Sequence, residues 1–162
     1  MMKYCKTRDV KSPSRGTPGS AGIDLYAPTD WPSSDDPRTG GCEFYGDHVL
    51  VRPNTSVLIP SGIKFNVPEG HALIAFNKSG IAVKRGLQVG ACVVDEDYTG
   101  EVQLHLTNVS DTPCKIYGGD KLVQFILLPV TYAEPVEHSQ AETFELKSSE
   151  RGEGKFGSTD AK

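Results

Sequence analysis

The segment that most constrains the fold of this chain is GEVQLHLTN, residues 100–108, in which apolar and polar side chains alternate. Val102, Leu104 and Leu106 fall on one face, and the residues between them are polar. A period of two is typical of a β-strand with one buried face. No segment keeps the apolar spacing of an amphipathic helix for more than a turn or two. The pattern therefore favours a sheet packed on a core.

Turn signals cut the rest of the chain into short apolar runs. Between Ser56 and Phe76, three runs are separated by Pro60-Ser61-Gly62 and Pro68-Glu69-Gly70. Later, Gly118-Gly119-Asp120 precedes a long apolar run from Leu122 to Val130. Many short strands divided by turns are typical of an all-β sandwich or barrel.

The segment before the alternating strand carries a β-branched run, QVGACVV, followed by DEDYTG at residues 95–100. The turn residues in DEDYTG predict a hairpin tip that joins the two runs. A single short helix is expected near residues 79–85.

Two stretches differ in composition from these runs. Residues 28–46 are rich in Pro, Gly, Ser and Asp, which predicts a long loop or a small inserted hairpin. From Glu134 onward the chain is polar and loses its periodicity. We therefore expect a β-barrel core over residues 1–133 and a C-terminal arm over residues 134–162.

Charge and cysteine spacing exclude several classes of protein. With 17 Lys and Arg against 21 Asp and Glu, the chain offers no broad basic face for nucleic acid. No apolar leader or membrane-length run is present, and the four cysteines lack metal-site spacing. The sequence predicts a cytoplasmic protein with free thiols that binds neither nucleic acid nor membrane.

The tail RGEGKFGSTD, residues 151–160, matches GxGxxG but lacks the strand and helix that a dinucleotide fold requires. Its glycines, hydroxyls, Arg151 and Phe156 suit a nucleotide, although an unstructured tail is an alternative. Lys78, Ser79 and Gly80 form an anion-binding arrangement if they open a helix. Asp24, placed among small and apolar residues, needs a partner or else caps a turn.

Five segments in order resemble the homotrimeric dUTPases: GSAGIDLYA, NKSGIA, GACVVDEDYTGEV, GDKLVQFIL and RGEGKFGSTD. The resemblance implies a distorted jelly-roll barrel with an extended C-terminal arm, and a homotrimer with shared active sites. It also implies hydrolysis of dUTP to dUMP and pyrophosphate, which keeps uracil out of DNA and supplies dUMP for dTMP synthesis. Mg²⁺ would be held by the triphosphate and by water, without a direct protein ligand.

The same resemblance implies roles for individual residues. Asp95 is the expected general base, Tyr98 lies against the deoxyribose, and Asp24 orders metal waters or a neighbouring basic group. The other substrate contacts implied are Lys78, Ser79, Gly80 and Gln124 on phosphates, Val89, Cys92 and Val94 around uracil, and Arg151, Phe156, Gly157, Ser158 and Thr159 in a closing arm.

The sequence leaves two rival functions open. A dCTP deaminase has a similar fold and arm, but the Asp95-x-x-Tyr98-x-Gly100 pattern favours a dUTPase. A dUTP-responsive switch that binds a protein partner through residues 28–46 is the second rival.

Overall fold

The computed structural model describes residues 2–30 and 42–144. Within these residues the chain forms twelve strands and two helices. The strands are β1 (Lys3–Lys6), β2 (Ile23–Tyr26), β3 (Glu43–Phe44), β4 (His48–Val51), β5 (Ser56–Pro60), β6 (Ile63–Asn66), β7 (His71–Asn77), β8 (Leu87–Val89), β9 (Val93–Val94), β10 (Gln103–Asn108), β11 (Cys114–Tyr117) and β12 (Lys121–Pro129). The helices are α1 (Ser79–Arg85) and α2 (Gln140–Phe144).

The described strands pair antiparallel in four sheets. The largest has the order β2-β12-β7-β9, and two three-stranded sheets have the orders β5-β10-β8 and β11-β4-β3. The fourth is the ribbon β1-β6. The predicted all-β class is confirmed, and the predicted turns at Gly62, Gly70 and Gly119 each contain a glycine with positive φ.

The alternation seen in the sequence is confirmed in β10. Leu104 and Leu106 are buried, as is Val102 just before the strand, whereas Gln103 and His105 are half-buried. Opposite them, β5 contributes buried side chains to the same apolar core. Removal of this apolar surface from water stabilises the fold by roughly 25 cal/mol per Å².

The predicted helix over residues 79–85 is confirmed with the same bounds. A second described helix, α2, was not predicted. Ser139 Oγ and Glu142 hydrogen-bond reciprocally at its start, which is a capping box. The described helices have seven and five residues, whereas a membrane span needs about 20.

The prediction that residues 95–100 form a hairpin tip between two paired runs is confirmed only in part. β8 pairs with β10, but β9 leaves that sheet and pairs with β7. The change occurs at Gly90, where a Cβ atom would overlap the His105 ring. There the Ala91 N–H donates to His105 Nδ1, 2.9 Å away, rather than to a main-chain oxygen.

The chain divides into two compact units, Met1–Thr131 and Tyr132–Lys162. The first contains all the described strands and α1, and the described part of the second contains α2. Most of the predicted insertion at 28–46, residues 31–41, lies outside the described residues. Its last part forms β3, which pairs with β4.

Candidate active site

Neighbouring strands bring one set of predicted residues to the same end of the largest sheet. Gln124 on the central strand β12 is in register with Asp24 on β2 and with Phe76 on β7. Two residues beyond Phe76, β7 has ended and Lys78 begins the approach to α1. We call Asp24, Lys78, Ser79, Gly80 and Gln124 the β12 cluster.

Asp24 and Lys78 form an ion pair at the centre of the β12 cluster. Lys78 Nζ lies 2.5 Å from Asp24 Oδ1, and Lys121 Nζ lies 3.4 Å from Oδ2. The Asp24 side chain is 6% exposed, so these two cations compensate a buried negative charge. Asp24 lies within a strand, which excludes the alternative that it caps a turn.

Lys78 is also the N-cap residue of α1, with extended backbone angles and no side-chain cap. The N–H groups of Ser79 and Gly80 are the first of the helix and have no intrahelical partner. Both residues are exposed. The condition set for an anion-binding arrangement, that these residues open a helix, is therefore met. The two amides and the Ser79 hydroxyl can donate to an anion.

The far end of α1 is fixed to the same sheet. Arg85 Nη1 lies 2.8 Å from Asp120 Oδ2, one residue before β12 begins. The C-cap, Gly86, adopts the left-handed conformation with φ of 63°. The helix is thus tied to β12 at one end and presents its first amides at the other.

Two residues that sequence reasoning missed hold Gln124 in place. Gln124 Nε2 donates to the Asn77 main-chain oxygen at 2.8 Å. A Cβ atom on Gly22 would lie 2.5 Å from Gln124 Oε1, so a glycine is needed beneath this side chain. The signal for Gly22 is its place in GSAGIDLYA, two residues before Asp24.

The second set of predicted residues surrounds a cavity of about 160 Å³. Its walls include Cys92, Val94, Asp95 and Tyr98, which we call the β9 cluster. Val94 is buried, while Asp95 is exposed. Sequence reasoning missed Gln103 and Phe125, which also line the cavity.

Tyr98 is held by its own loop. Its hydroxyl donates to the Glu101 main-chain oxygen at 2.9 Å. A Cβ atom on Gly100 would overlap the Tyr98 phenol, so Gly100 permits this position. The ring is therefore a fixed wall, and 43% of Tyr98 remains exposed.

The Asp95 carboxylate differs from that of Asp24. Within residues 2–30 and 42–144, no side chain hydrogen-bonds or forms an ion pair with it. The same residues contain no group of three or more His, Cys, Asp or Glu side chains that could hold a metal ion. A free carboxylate at a cavity can accept a proton from a bound water.

The segment from Val89 to Asp95 runs beside β7 in the opposite direction. The Val89 N–H donates to Asn77 Oδ1 at 2.7 Å, and the Ala75 N–H donates to the Cys92 oxygen at 2.7 Å. Val89 thus lies at the α1 end of β7 and does not line the cavity.

The β9 cluster lies toward the other end of β7. Val94 pairs with Leu73, and Lys78 follows Leu73 by five residues, about 17 Å at a rise of roughly 3.4 Å per residue. The structure therefore brings the predicted residues together as two separate clusters. Arg151, Phe156, Gly157, Ser158 and Thr159 lie outside the described residues.

Comparison with known proteins relates most of the chain to one family. The dUTPase family model matches residues 46–160. A deoxyuridine 5′-triphosphate nucleotidohydrolase of Hydrogenobaculum sp. is 32% identical over 156 residues, 95% of this chain and 93% of that protein. The protein of the same name from Candida glabrata is 36% identical over 149 residues, 91% of this chain and 88% of that one.

Solved structures show the same fold. Staphylococcus bacteriophage 80alpha dUTPase with dUPNHPP superposes with a TM-score of 0.76 at 18% identity, covering 98% of each chain. EIAV dUTPase gives 0.65 at 24% identity, over 86% of this chain and 98% of that one. A mutant dUTPase of S. aureus phage phi11, described with a structural Mg(II) ion, gives 0.67 at 18% identity, over 88% and 99%. The predicted jelly-roll barrel is thereby confirmed.

Proposed function

The chain belongs to the dUTPase family and is a dUTP diphosphatase, and on that premise we propose how its residues bind dUTP and hydrolyse it. The products are dUMP and pyrophosphate. We assign the chain to the cytoplasm, where the reaction would keep uracil out of DNA and supply dUMP for dTMP synthesis.

Asp95 acts as the general base. Its carboxylate takes a proton from a water as the water oxygen forms a bond to the α-phosphorus, and the bond to the departing pyrophosphate oxygen breaks. Two features of the carboxylate support this role: it is exposed at a cavity wall, and no described side chain pairs with it. Asp24 is unsuited because two lysines hold its charge.

Uracil lies in the cavity of the β9 cluster. Among the described strands, β9 is at the edge of its sheet, and an edge strand offers main-chain N–H and C=O groups to a ligand. Relative to uracil, cytosine has a hydrogen-bond donor and an acceptor exchanged on its base edge. Bound cytosine would leave buried main-chain groups unpaired, at a cost of about 1 to 3 kcal/mol each. A thymine methyl would collide with the wall, and Tyr98 leaves no room for a 2′-hydroxyl.

The triphosphate contacts the β12 cluster. The Ser79 and Gly80 amides, the Ser79 hydroxyl and the Gln124 amide supply neutral donors. Lys78 can give one N–H to Asp24 and keep two for phosphate oxygens, because an ammonium group has three donors.

Mg²⁺ fits this donor set as an ion carried by the substrate. Mg²⁺ usually keeps several waters and binds through phosphates and one or two carboxylates, and the described residues offer no cluster of three acidic or imidazole ligands. When bound, the ion neutralises charge that develops on the phosphate oxygens. Asp24 could contact the waters bound to this ion only through Oδ2, the oxygen that faces Lys121.

One observation carries the proposal that each site is shared between copies of the chain. A water activated by Asp95 must lie within about 3 Å of the carboxylate, yet Lys78, which precedes the Ser79 and Gly80 amides, lies five residues, about 17 Å, beyond Leu73, the partner of Val94. A triphosphate cannot bridge that distance. Asp95 of one copy therefore works with the β12 cluster of another copy, which supports a closed homotrimer.

The closing arm supplies the remaining contacts. Arg151 would bind the γ-phosphate, Phe156 would stack on uracil, and Gly157, Ser158 and Thr159 would line the phosphates. A protein partner that binds residues 28–46 stays a prediction, since residues 31–41 lie outside the described part of the chain.

Pyrophosphate release from dUTP, dTTP, dCTP and UTP tests the substrate assignment. We expect fast release from dUTP alone. Ammonia from dCTP without pyrophosphate from dUTP would identify the rival deaminase and overturn the proposal.

A further inference from the structure

Two turns that flank β6 each contain a left-handed glycine whose amide binds a distant carboxylate. Gly62 has a φ of 73° and Gly70 a φ of 71°. The Gly62 N–H donates to Glu101 Oε1 at 2.6 Å, and the Gly70 N–H donates to Glu96 Oε2 at 2.5 Å. The partners are 39 and 26 residues apart in sequence, so local structure does not produce these bonds.

Both carboxylates belong to the loop that carries Asp95 and Tyr98. Glu96 follows Asp95 directly, and Glu101 lies three residues after Tyr98. Within the loop, the Tyr98 N–H donates to the Asp95 main-chain oxygen at 3.2 Å. The loop is thus attached at both of its ends to the turns that flank β6.

We propose that Glu96 and Glu101 are positioning residues that hold Asp95 and Tyr98 in their working geometry through these two bonds. The inference rests on the proposed role of Asp95 as general base. A carboxylate is suited to the task, because a hydrogen bond from N–H to an ionised acceptor is roughly twice as strong as a neutral one.

The turns are firm supports for the loop. The Gly70 oxygen accepts a hydrogen bond from the Val130 N–H at 2.8 Å, which ties this turn to the end of β12. The Gly62 oxygen accepts one from the Thr7 N–H at 2.9 Å. Each glycine therefore connects the loop to another segment through its two main-chain groups.

Glu101 has a second partner that balances its charge. Arg8 Nε lies 3.4 Å from Glu101 Oε1, and the two side chains are 25% and 19% exposed. Glu96 borders a different space, a cavity of about 470 Å³ whose walls also include Tyr98 and Thr99. Glu96 is the better residue to test, because substitution there leaves the Arg8 ion pair intact.

The test compares Glu96→Ala with Glu96→Gln and with a control, Glu69→Ala, in the same turn as Gly70. Glu69 is exposed, and its side chain forms no hydrogen bond or ion pair within the described residues. We expect Glu96→Ala to lower kcat for dUTP about ten- to a hundredfold, because a small misplacement of a catalytic group has effects of that size. KM should change less, Glu96→Gln should recover most of kcat, and Glu69→Ala should stay within about twofold of the wild type.

Hydrogen exchange at the Gly70 amide gives a readout that is independent of activity. We expect faster exchange in Glu96→Ala and wild-type exchange in Glu69→Ala, because loss of the acceptor exposes the amide. Unchanged exchange in Glu96→Ala would show that the bond does not form. Wild-type kcat in Glu96→Ala, or no recovery in Glu96→Gln, would equally overturn the inference.

Asp95→Asn separates this inference from the proposed function. If Asp95→Asn keeps wild-type turnover, the general-base proposal fails whatever Glu96 does. If Asp95→Asn is inactive and Glu96→Ala is fully active, the positioning inference alone fails.

Discussion

Lys78 Nζ lies 2.5 Å from Asp24 Oδ1, although 54 residues separate the two in sequence. The pair joins β2 to the start of α1, so it fixes the helix amides relative to the sheet that carries Gln124. Lys121, whose side chain is 45% exposed, lies 3.4 Å from the other oxygen of the same carboxylate.

Because Asp24 and Lys78 form an ion pair, their contributions to stability should not be additive. Lys78→Met should lower the free energy of unfolding by about 1 to 3 kcal/mol, because the buried Asp24 loses its nearer cation. The double variant Asp24→Leu/Lys78→Met should cost less than the sum of the two single variants. Urea unfolding measures both quantities, and strict additivity would show that the pair does not interact.

Substitution of Gly22 should weaken the binding of dUTP. In Gly22→Ala the new Cβ atom would displace the Gln124 side chain from the Asn77 oxygen. Loss of that position should raise KM for dUTP about three- to tenfold, the equivalent of one hydrogen bond. Gly19→Ala is the matched control, since nothing lies within 4 Å of a Cβ atom built there; equal KM values in the two variants would refute the steric argument.

The environment of Glu43, near the end of the 28–46 segment, should make the stability of the fold depend on pH. Hydrogen bonds from the Tyr45 hydroxyl and from Arg52 hold the pKa of Glu43 below its ordinary value of 4.5. Because the pKa of Glu43 is lower in the folded state, Glu43 stabilises the fold at pH values above its pKa in the unfolded chain. This contribution is lost as the pH falls through the pKa of the folded state. The effect is small, because the pair is exposed to solvent.

The measurement is the difference in Tm between wild type and Glu43→Gln. The wild type should be the more stable protein near neutral pH, and the difference should shrink below about pH 4.5 as Glu43 takes up a proton. A difference that stays constant down to about pH 3 would show that the fold does not favour the ionised form of Glu43.

The arm residues predict a loss of activity without a loss of fold. Truncation after Lys147 removes Arg151 and Phe156 but leaves the unit Met1–Thr131 complete. Circular dichroism should be unchanged in its β-sheet signal, while kcat/KM for dUTP should fall by about tenfold or more, because a closing segment excludes water and completes the site. Normal kcat/KM in the truncated chain would remove the arm from the mechanism.

Local patterns in the sequence predicted the features that depend on local physics. The alternation in β10, the glycine turns and the start of α1 all follow from side-chain period and turn chemistry. The helix α2 also carried a local signal, because Ser139-x-x-Glu142 has the spacing of a capping box. The surrounding residues show no apolar period, so the sequence pattern as a whole does not indicate a helix there.

Contacts between distant segments could not be predicted in the same way. The hairpin prediction failed for β9, which pairs with β7 instead of β10. The departure follows Gly90, where a Cβ atom would overlap the His105 ring, and that proximity exists only in the folded sheet. The hydrogen bonds that the Gly62 and Gly70 amides donate to Glu101 and Glu96 likewise depend on the folded arrangement of distant segments. The motifs identified the Asp95 loop, and the fold determines what holds it.

Mixing two variants, each defective in a different cluster, measures most directly whether each active site is shared. Asp95→Asn removes the base, and Ser79→Pro removes an amide donor and a hydroxyl at the first helical position, where proline is tolerated. In chains co-expressed at equal levels, about one site in four should combine an intact Asp95 with an intact β12 cluster from another copy. A shared site predicts that pyrophosphate release from dUTP returns to about a quarter of the wild-type rate, whereas a mixture no more active than its two components would show that each chain forms its site alone.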